Sequence, residues 1–173
     1  MPRTEIATFA GGCFWGMQDL FRKHPGVLGT RVGYTGGDTP DPSYDEVKTG
    51  TTNHAEAIEI EFDADEVSYR ELVEFFFSLH DPTTVDRQGH DVGSQYRSAI
   101  FFHSGEQEAT ARDVVRAIEA SGKWPGPVVT QIVPAQRFYL AEELHQDYLI
   151  TYPDGYTCHF VRPEWRLDRE DAD

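Results

Sequence analysis

The stretch Gly11-Gly12-Cys13-Phe14-Trp15-Gly16 follows a short apolar run and precedes a helix-like segment, so it predicts a cysteine at a strand-to-helix turn. The first N–H groups of a helix lack intrahelical partners, and the helix dipole favours an anion there. We therefore expect the position to lower the pKa of Cys13 and activate its sulfur. The glycines would admit backbone and substrate closely, and the adjacent Phe14 and Trp15 favour an apolar recess over a merely structural cysteine.

Strand-like and helix-like segments alternate on both sides of this stretch. Strands are predicted at 4–10, 27–34, 55–62, 97–102 and 128–133, and long polar loops at 36–54 and 83–96. Helices are predicted at 14–23, 68–79 and 141–150, and another follows residues 104–107 and ends near Gly122. Capping boxes are predicted at 68–71 and 104–107. The pattern indicates an α+β fold: a two-layer sandwich with one mixed sheet, a ferredoxin-like plait, and packed helices. We expect residues 1–173 to form a single catalytic domain whose long C-terminal coil, 152–173, is irregular.

Composition narrows the function classes. The chain has 173 residues and a net charge of −15, which argues against nucleic acid and anionic membranes as partners. It contains neither a run long enough to span a bilayer nor a secretory signal, so we expect a cytoplasmic protein. We also expect a monomer. Its two cysteines are too few for a disulfide scaffold. In a reducing compartment such a pair is typical of transient, catalytic chemistry.

Residues 55–62 place a carboxylate in an unusual position. Because side chains alternate along a strand, Glu56 shares a face with Ile58, Ile60 and Phe62. A carboxylate on an apolar face is costly unless it is paired or neutral. The alternative is a strand end at which Glu56 already reaches water.

Three kinds of chemistry remain open for Cys13. A Cys-His hydrolase or acyltransferase would need a histidine base, and seven histidines are available, but no hydrolase signature surrounds the cysteine. A metal site is disfavoured because Glu142-x-x-His145 is the one metal-like spacing and a di-iron bundle needs two. We expect no metal and no other cofactor. Thiol redox chemistry would use Cys13 in a pocket and Cys158 as a second, mobile thiol.

Separated segments of the chain resemble the peptide methionine sulfoxide reductase A family, in that family's order. Beside Gly11–Gly16, they are Val32-Gly33-Tyr34-Thr35-Gly36-Gly37, Tyr44-Asp45-Glu46-Val47, Asn53-His54-Ala55-Glu56-Ala57, Phe76 to Pro82, and Gln95-Tyr96-Arg97-Ser98-Ala99-Ile100. The resemblance covers nearly the whole chain. It implies reduction of the S epimer of methionine sulfoxide, free or in proteins.

The resemblance also implies roles for individual residues. Cys13 would attack the sulfoxide sulfur and become a sulfenic acid, and Phe14 with Trp15 would hold the substrate methyl group. Glu56 would hydrogen-bond or protonate the sulfoxide oxygen. This role agrees with the strand pattern, because burial on an apolar face should raise the pKa of the carboxyl and keep it protonated.

The remaining implied roles belong to loop residues and the tail. Tyr44 and Tyr96 would be phenols that polarise the S=O bond, and Asp91 would order the site and bind the substrate backbone. The chain has only Cys158 where many members carry two recycling cysteines. It therefore resembles the two-cysteine subgroup, in which thioredoxin reduces one intramolecular disulfide, and the tail would move toward Cys13.

Two other functions remain as alternatives at this point. One is a cysteine hydrolase or acyltransferase acting on a carbonyl. The other is a thiol redox sensor that forms a Cys13–Cys158 disulfide and changes its binding to a partner.

Overall fold

The computed structural model describes residues 3–168 and follows the hydrophobic pattern of the sequence. Its strands are β1 (Thr4–Gly11), β2 (Val27–Thr35), β3 (Ala55–Asp63), β4 (Arg87–Gln88), β5 (Asp91–Val92), β6 (Ser98–Phe102), β7 (Gln131–Pro134) and β8 (Tyr139–Leu140). Its helices are α1 (Phe14–Arg22), α2 (Tyr44–Lys48), α3 (Tyr69–Leu79), α4 (Gly105–Ser121) and α5 (Tyr148–Thr151), with 3-10 turns at Ser94–Tyr96 and Glu143–His145.

Six strands form one sheet in the order β7-β6-β1-β3-β2-β8. Neighbouring strands are antiparallel except for β6 and β7, which are parallel, so the sheet is mixed. The four inner strands together with α1 and α3 follow the β-α-β-β-α-β order of a ferredoxin-like plait. The predicted α+β class with one mixed sheet is confirmed, and β4 and β5 form a separate small hairpin.

The main core lies between the sheet and its helices. Phe9 of β1 stacks on Phe76 of α3, with ring centroids 4.9 Å apart, and Phe21 of α1 packs beside them. Ile58 of β3 and Val114 of α4 are fully buried in the same cluster. Burial of such side chains fixes the register of β3, and that register decides where Glu56 points.

The two predicted capping boxes have different outcomes. At α3, Ser68 accepts from the Glu71 N–H and Glu71 reaches back to the Ser68 backbone, which confirms the first box. At α4, Ser104 accepts from the Gln107 N–H at 3.2 Å. The Gln107 side chain instead accepts from the His103 N–H and donates to the Ile6 carbonyl. The predicted reciprocal capping box at 104–107 is therefore wrong, because the side-chain amide of Gln107 joins α4 to β1 instead of bonding the Ser104 backbone.

Several predicted boundaries are also wrong. The 36–54 loop contains α2, which a Ser43–Glu46 capping box begins, and the 83–96 loop contains the β4–β5 hairpin. The strand predicted at 128–133 begins only at Gln131. The helix predicted at 141–150 is broken because Asp147 adopts a φ of 54°. The Gln146 side chain bonds both backbone groups of Val32, which draws the segment onto β2.

The tail between 152 and 168 contains neither helix nor strand, and the rest of the predicted coil, 169–173, lies outside the described residues. This part of the tail is packed against the domain. The Arg162 N–H bonds the Ser78 carbonyl at 2.9 Å, and Trp165 lies 6.1 Å from Trp124 between ring centroids. His159, a residue of the tail, is buried against the end of β1.

Across residues 3–168, none of the helices has the length and apolar character required to cross a membrane.

Candidate active site

Cys13 is the N-cap residue of α1, two residues after β1 ends, as predicted. Its side chain is buried, and burial raises the pKa of the thiol well above its usual value of 9.0. The negative charge of Glu56 raises this pKa further, whereas the Trp15 backbone N–H lowers it. The predicted effect of the helix N-terminus is therefore present but outweighed, and the expected lowering of the Cys13 pKa is wrong.

Glu56 of β3 is 1% exposed and lies beside the start of α1. Its Oε1 accepts from the Phe14 N–H at 3.2 Å. Burial raises the pKa of the carboxyl from 4.5 to about 8, against the lowering effect of that hydrogen bond. The predicted rise is confirmed, and the alternative of a strand end reaching water is wrong. Near neutral pH the carboxyl is mostly protonated, so it can donate a proton and no longer repels a Cys13 thiolate.

Two half-buried phenols share the electrostatic environment of Glu56 and Cys13. Tyr44 is the first residue of α2, and Tyr96 is the last residue of the 94–96 turn. Burial, followed by the charge of Glu56, raises the pKa of Tyr44 to about 12 and raises that of Tyr96 as well. Gln95 Nε2 donates to the Lys48 carbonyl at 3.0 Å, which joins the turn to the end of α2. Both phenols therefore remain neutral O–H donors on linked elements.

Phe14 and Trp15 form an aromatic wall at the start of α1. Phe14 is buried and packs against Tyr44, with ring centroids 6.4 Å apart. Trp15 is half-buried and stacks on Tyr148, at 3.8 Å between centroids and 9° between planes. The Trp15 indole N–H donates to His145 Nδ1 at 3.1 Å. The predicted apolar aromatic pair is thus in place, and its orientation is held by two residues that the sequence reasoning did not assign.

Glu142 and His145, whose spacing resembles half of a di-iron motif, instead contact other residues of the site. Glu142 Oε1 accepts from the Tyr34 hydroxyl at 2.9 Å, and Oε2 accepts from the Tyr44 N–H at 3.0 Å. His145 lies 4.3 Å from Tyr44 between ring centroids. In the part of the chain that the structure describes, no group of three His, Cys, Asp or Glu side chains could hold a metal ion.

Asp91 of β5 connects the site to the tail. Its Oδ2 accepts from the Tyr156 hydroxyl at 3.0 Å and lies 3.9 Å from Cys158 Sγ. Burial, followed by the charge of Asp91, raises the pKa of the Cys158 thiol. Cys13 and Cys158 are both free thiols, and the negative charge of Cys158 contributes to raising the pKa of Cys13. The structure therefore brings the second cysteine to the edge of the same site.

The histidines next to the nucleophile are poor bases. His80 and His159 are buried, and burial lowers their pKa values to about 3 and about 4. Each ring bonds a backbone carbonyl, of Phe76 and Gly11 respectively. Among the residues between 3 and 168, the hydrogen bonds place no histidine nitrogen on the Cys13 sulfur. This arrangement disfavours the hydrolase alternative, which needs a base at the thiol.

The fold and the site together define a thiol-dependent oxidoreductase, in which a buried cysteine lies beside a protonated acid, two phenols and an aromatic wall. Comparisons with known proteins identify the family. The family model described as peptide methionine sulfoxide reductase matches residues 5–171. The chain is 55% identical over 172 residues to peptide methionine sulfoxide reductase MsrA of Nocardia farcinica, covering 99% of both chains. It is 59% identical over 167 residues to MsrA of Nitrobacter winogradskyi, covering 96% of this chain and 91% of that protein.

Solved structures agree with the sequence comparisons. The reduced form of Mxr1 from Saccharomyces cerevisiae superposes with a TM-score of 0.86 at 38% identity, covering 92% of both chains. Mxr1 in complex with Trx2 gives a TM-score of 0.62 at 26% identity, covering 92% of this chain and 90% of that one. The chain belongs to the peptide methionine sulfoxide reductase family.

Proposed function

We propose that this protein is a peptide-methionine (S)-S-oxide reductase in which Cys13 is the nucleophile. The observation that carries the proposal is the Glu56 carboxyl, buried and protonated beside the Cys13 thiol. A sulfoxide oxygen becomes more basic as its sulfur is attacked, so an acid held at this position accelerates the step. The relatives named above as methionine sulfoxide reductases support the same reaction.

The first step transfers one oxygen atom. Cys13 Sγ attacks the sulfoxide sulfur while the Glu56 carboxyl protonates the sulfoxide oxygen, and the Cys13 thiol proton passes to the Glu56 carboxylate. The oxygen then forms a bond to the Cys13 sulfur, while the sulfur–sulfur bond made in the attack and the sulfur–oxygen bond of the substrate both break. A sulfenic acid is left on Cys13, so methionine sulfoxide is reduced and the thiol is oxidised by two electrons. Tyr44 and Tyr96 donate to the same oxygen as its charge develops.

Substrate binding uses the aromatic wall and the loop aspartate. Phe14 and Trp15 present apolar surface to the methyl group next to the sulfoxide sulfur. Phe14 and Trp15 are the first two residues of α1 and directly follow Cys13, which supports this role. Asp91 orders the edge of the site and accepts from the substrate backbone.

The second step regenerates the thiol. Cys158 attacks the sulfur of the Cys13 sulfenic acid, which releases water and leaves a disulfide, and a dithiol reductant of the thioredoxin class reduces that disulfide. The position of Cys158 at Asp91 supports this role. The solved complex of Mxr1 with Trx2 supports a thioredoxin partner.

We also propose that the chain works as a cytoplasmic monomer, with residues 1–173 as a single catalytic domain. The site residues lie on elements of the one sheet-and-helix unit described above, which supports a single catalytic domain. The net charge of −15 supports neither nucleic acid nor an anionic membrane as a partner.

The test is turnover of the two sulfoxide epimers. The intact protein is incubated with the S or the R epimer of methionine sulfoxide and dithiothreitol, and methionine formation is followed. We expect turnover of the S epimer alone. No turnover of either epimer would refute the proposal and leave the hydrolase and the thiol sensor as alternatives.

Two cysteine variants assign the steps. Cys158→Ser without reductant should release about one methionine per enzyme, because the first step does not need the second thiol. Cys13→Ser should release none. If Cys158→Ser did not react even once, Cys158 would be more than a resolving residue.

A further inference from the structure

We propose that His159 is a positioning residue for disulfide formation: its imidazole holds the segment 157–159 on a seat formed by Gly11, Gly12 and Gly16, and so keeps Cys158 beside Cys13. The inference rests on the proposed role of Cys158 as the resolving cysteine. It concerns a residue outside the groups that contact the substrate sulfoxide.

The seat is backbone surface at glycine residues, and a side chain at Gly12 or Gly16 would occupy the space that the tail fills. A Cβ atom at Gly16 would lie 2.5 Å from His159 Nδ1 and would also overlap Thr157 Oγ1. A Cβ atom at Gly12 would lie 3.4 Å from His159 Nε2. The tail therefore packs directly on the backbone that flanks Cys13, and alanine at Gly16 would displace it.

A hydrogen bond fixes the imidazole in this seat. His159 Nε2 lies 2.6 Å from the Gly11 carbonyl oxygen. A carbonyl can only accept, so Nε2 carries the proton and Nδ1 is left with its lone pair. His159 is 6% exposed, and burial lowers the pKa of its imidazole to about 4, so the ring is neutral near neutral pH. The backbone N–H of His159 also donates to Thr157 Oγ1 at 3.1 Å, which joins these two residues of the segment.

Cys158 is thereby held between two anchors. On one side, the Tyr156 hydroxyl donates to Asp91 at 3.0 Å. On the other, His159 joins the segment to Gly11, two residues before the nucleophile. The Cys158 sulfur lies 3.9 Å from both Asp91 Oδ2 and His159 Nδ1.

The rest of the tail has its own attachments. The Arg162 N–H bonds the Ser78 carbonyl, and Trp165 packs against Trp124. Removing the His159 contact should therefore loosen the segment around Cys158 while the later tail stays attached. Looser positioning of a thiol lowers the rate at which it meets its partner, although the chemistry is unchanged.

The reaction affected is the second step alone. The Cys158 thiol forms a bond to the Cys13 sulfur, the sulfur–oxygen bond of the sulfenic acid breaks, and the thiol proton leaves with the oxygen as water. His159→Leu should slow disulfide formation by about tenfold or more, because one buried hydrogen bond and the fit in the seat are lost. Methionine release in the first turnover should stay within about twofold of the parent protein.

The experiment is a single turnover without reductant, in which methionine, free thiols and the trapped sulfenic acid are measured over time. His159→Leu should accumulate a Cys13 sulfenic acid that dimedone captures. His159→Gln should restore rapid disulfide formation, because its side-chain N–H can reach the Gly11 carbonyl. Gly16→Ala should also slow disulfide formation by displacing the same segment, and Gly105→Ala is the matched control because a Cβ atom there meets nothing within 4 Å.

Several results would overturn the inference. Disulfide formation at the parent rate in His159→Leu or Gly16→Ala would show that the seat does not position Cys158. Equal slowing in His159→Leu and His159→Gln would show that the hydrogen bond to Gly11 is not the cause. Loss of methionine release in His159→Leu alone would place His159 in support of the first step instead. If His159→Leu does not fold, the rate of disulfide formation in Gly16→Ala, compared with that in Gly105→Ala, tests the inference instead. Absence of methionine release from the parent protein itself would refute the proposed function. This outcome differs from failure of the His159 inference, in which the parent still releases methionine.

Discussion

Replacing Glu56 with glutamine should change how the stability of the protein depends on pH. Burial raises the pKa of this carboxyl from 4.5 to about 8. Between these two values the folded protein keeps a proton that the unfolded chain has released. The free energy of unfolding therefore falls as the pH rises through this interval and levels off above the folded pKa. The contribution of Glu56 to stability is most favourable in acid.

The size of the effect follows from the two pKa values. One pKa unit corresponds to about 1.4 kcal/mol, so the interval from 4.5 to about 8 amounts to about 5 kcal/mol in total. About 4 kcal/mol of this change falls between about pH 5 and about pH 9. Glutamine has the same shape, can accept from the Phe14 N–H and does not titrate. Glu56→Gln should therefore lack this component.

The measurement is urea unfolding of both proteins at about pH 5 and about pH 9. The parent should lose more stability than the variant over this range, by at least about half of the 4 kcal/mol worked out above. Titrating groups that do not interact with Glu56 cancel in the comparison. His80 and His159, whose pKa values burial lowers to about 3 and about 4, destabilise both proteins alike as the pH falls below 6.5. Parallel pH profiles would show that Glu56 is ionised in the folded protein, and the proton-donor argument would then fail.

Four further substitutions test the site, its support and the fold. Tyr44→Phe and Tyr96→Phe should each slow first-turnover methionine release by about tenfold to a hundredfold, because each removes an O–H donor to the developing charge; an unchanged rate would remove that phenol from the step. Tyr148→Leu should raise KM more than it lowers kcat in steady-state assays, because it removes the face on which Trp15 stacks; a lower kcat at constant KM would contradict this. Ser68→Ala should lower the free energy of unfolding by about 1 kcal/mol in urea, because it removes the cap of α3; an unchanged midpoint at constant m would refute it.

The long elements were predictable because their signals are local and repeated. The alternation in 55–62 is enough to put Glu56 on the face of Ile58 and Ile60, and the structure buries all three. Short elements were less predictable. Helix α2 has five residues, too few for a helical period, although its Ser43–Glu46 capping box is visible in the sequence. Strand β7 depends on parallel pairing with β6, a contact that the pattern of 128–133 does not contain.

The supporting residues of the site could not be found from local patterns. His145 matters because it accepts from the Trp15 indole, 130 positions earlier in the chain. The Glu142-x-x-His145 spacing is visible in the sequence, but it indicates a metal site and not a hydrogen-bond partner for Trp15. The predicted lowering of the Cys13 pKa is wrong for a related reason. The helix N-terminus can be inferred from the sequence, whereas the opposing effect of burial depends on packing by distant segments.

The glycines of the opening motif acquire a different explanation from the packing around them. The sequence predicts that they let backbone and substrate approach closely, and in the structure each one lies against another part of the protein. A Cβ atom at Gly11 would lie 2.9 Å from the Phe76 ring, and one at Gly12, where φ is +98°, would lie 2.7 Å from Gln88. Gly16 makes room for the tail. Because α3, the β4–β5 hairpin and the tail all contact the segment Gly11–Gly16 at its glycines, this segment brings the acid, the aromatic wall and the second thiol near the Cys13 sulfur.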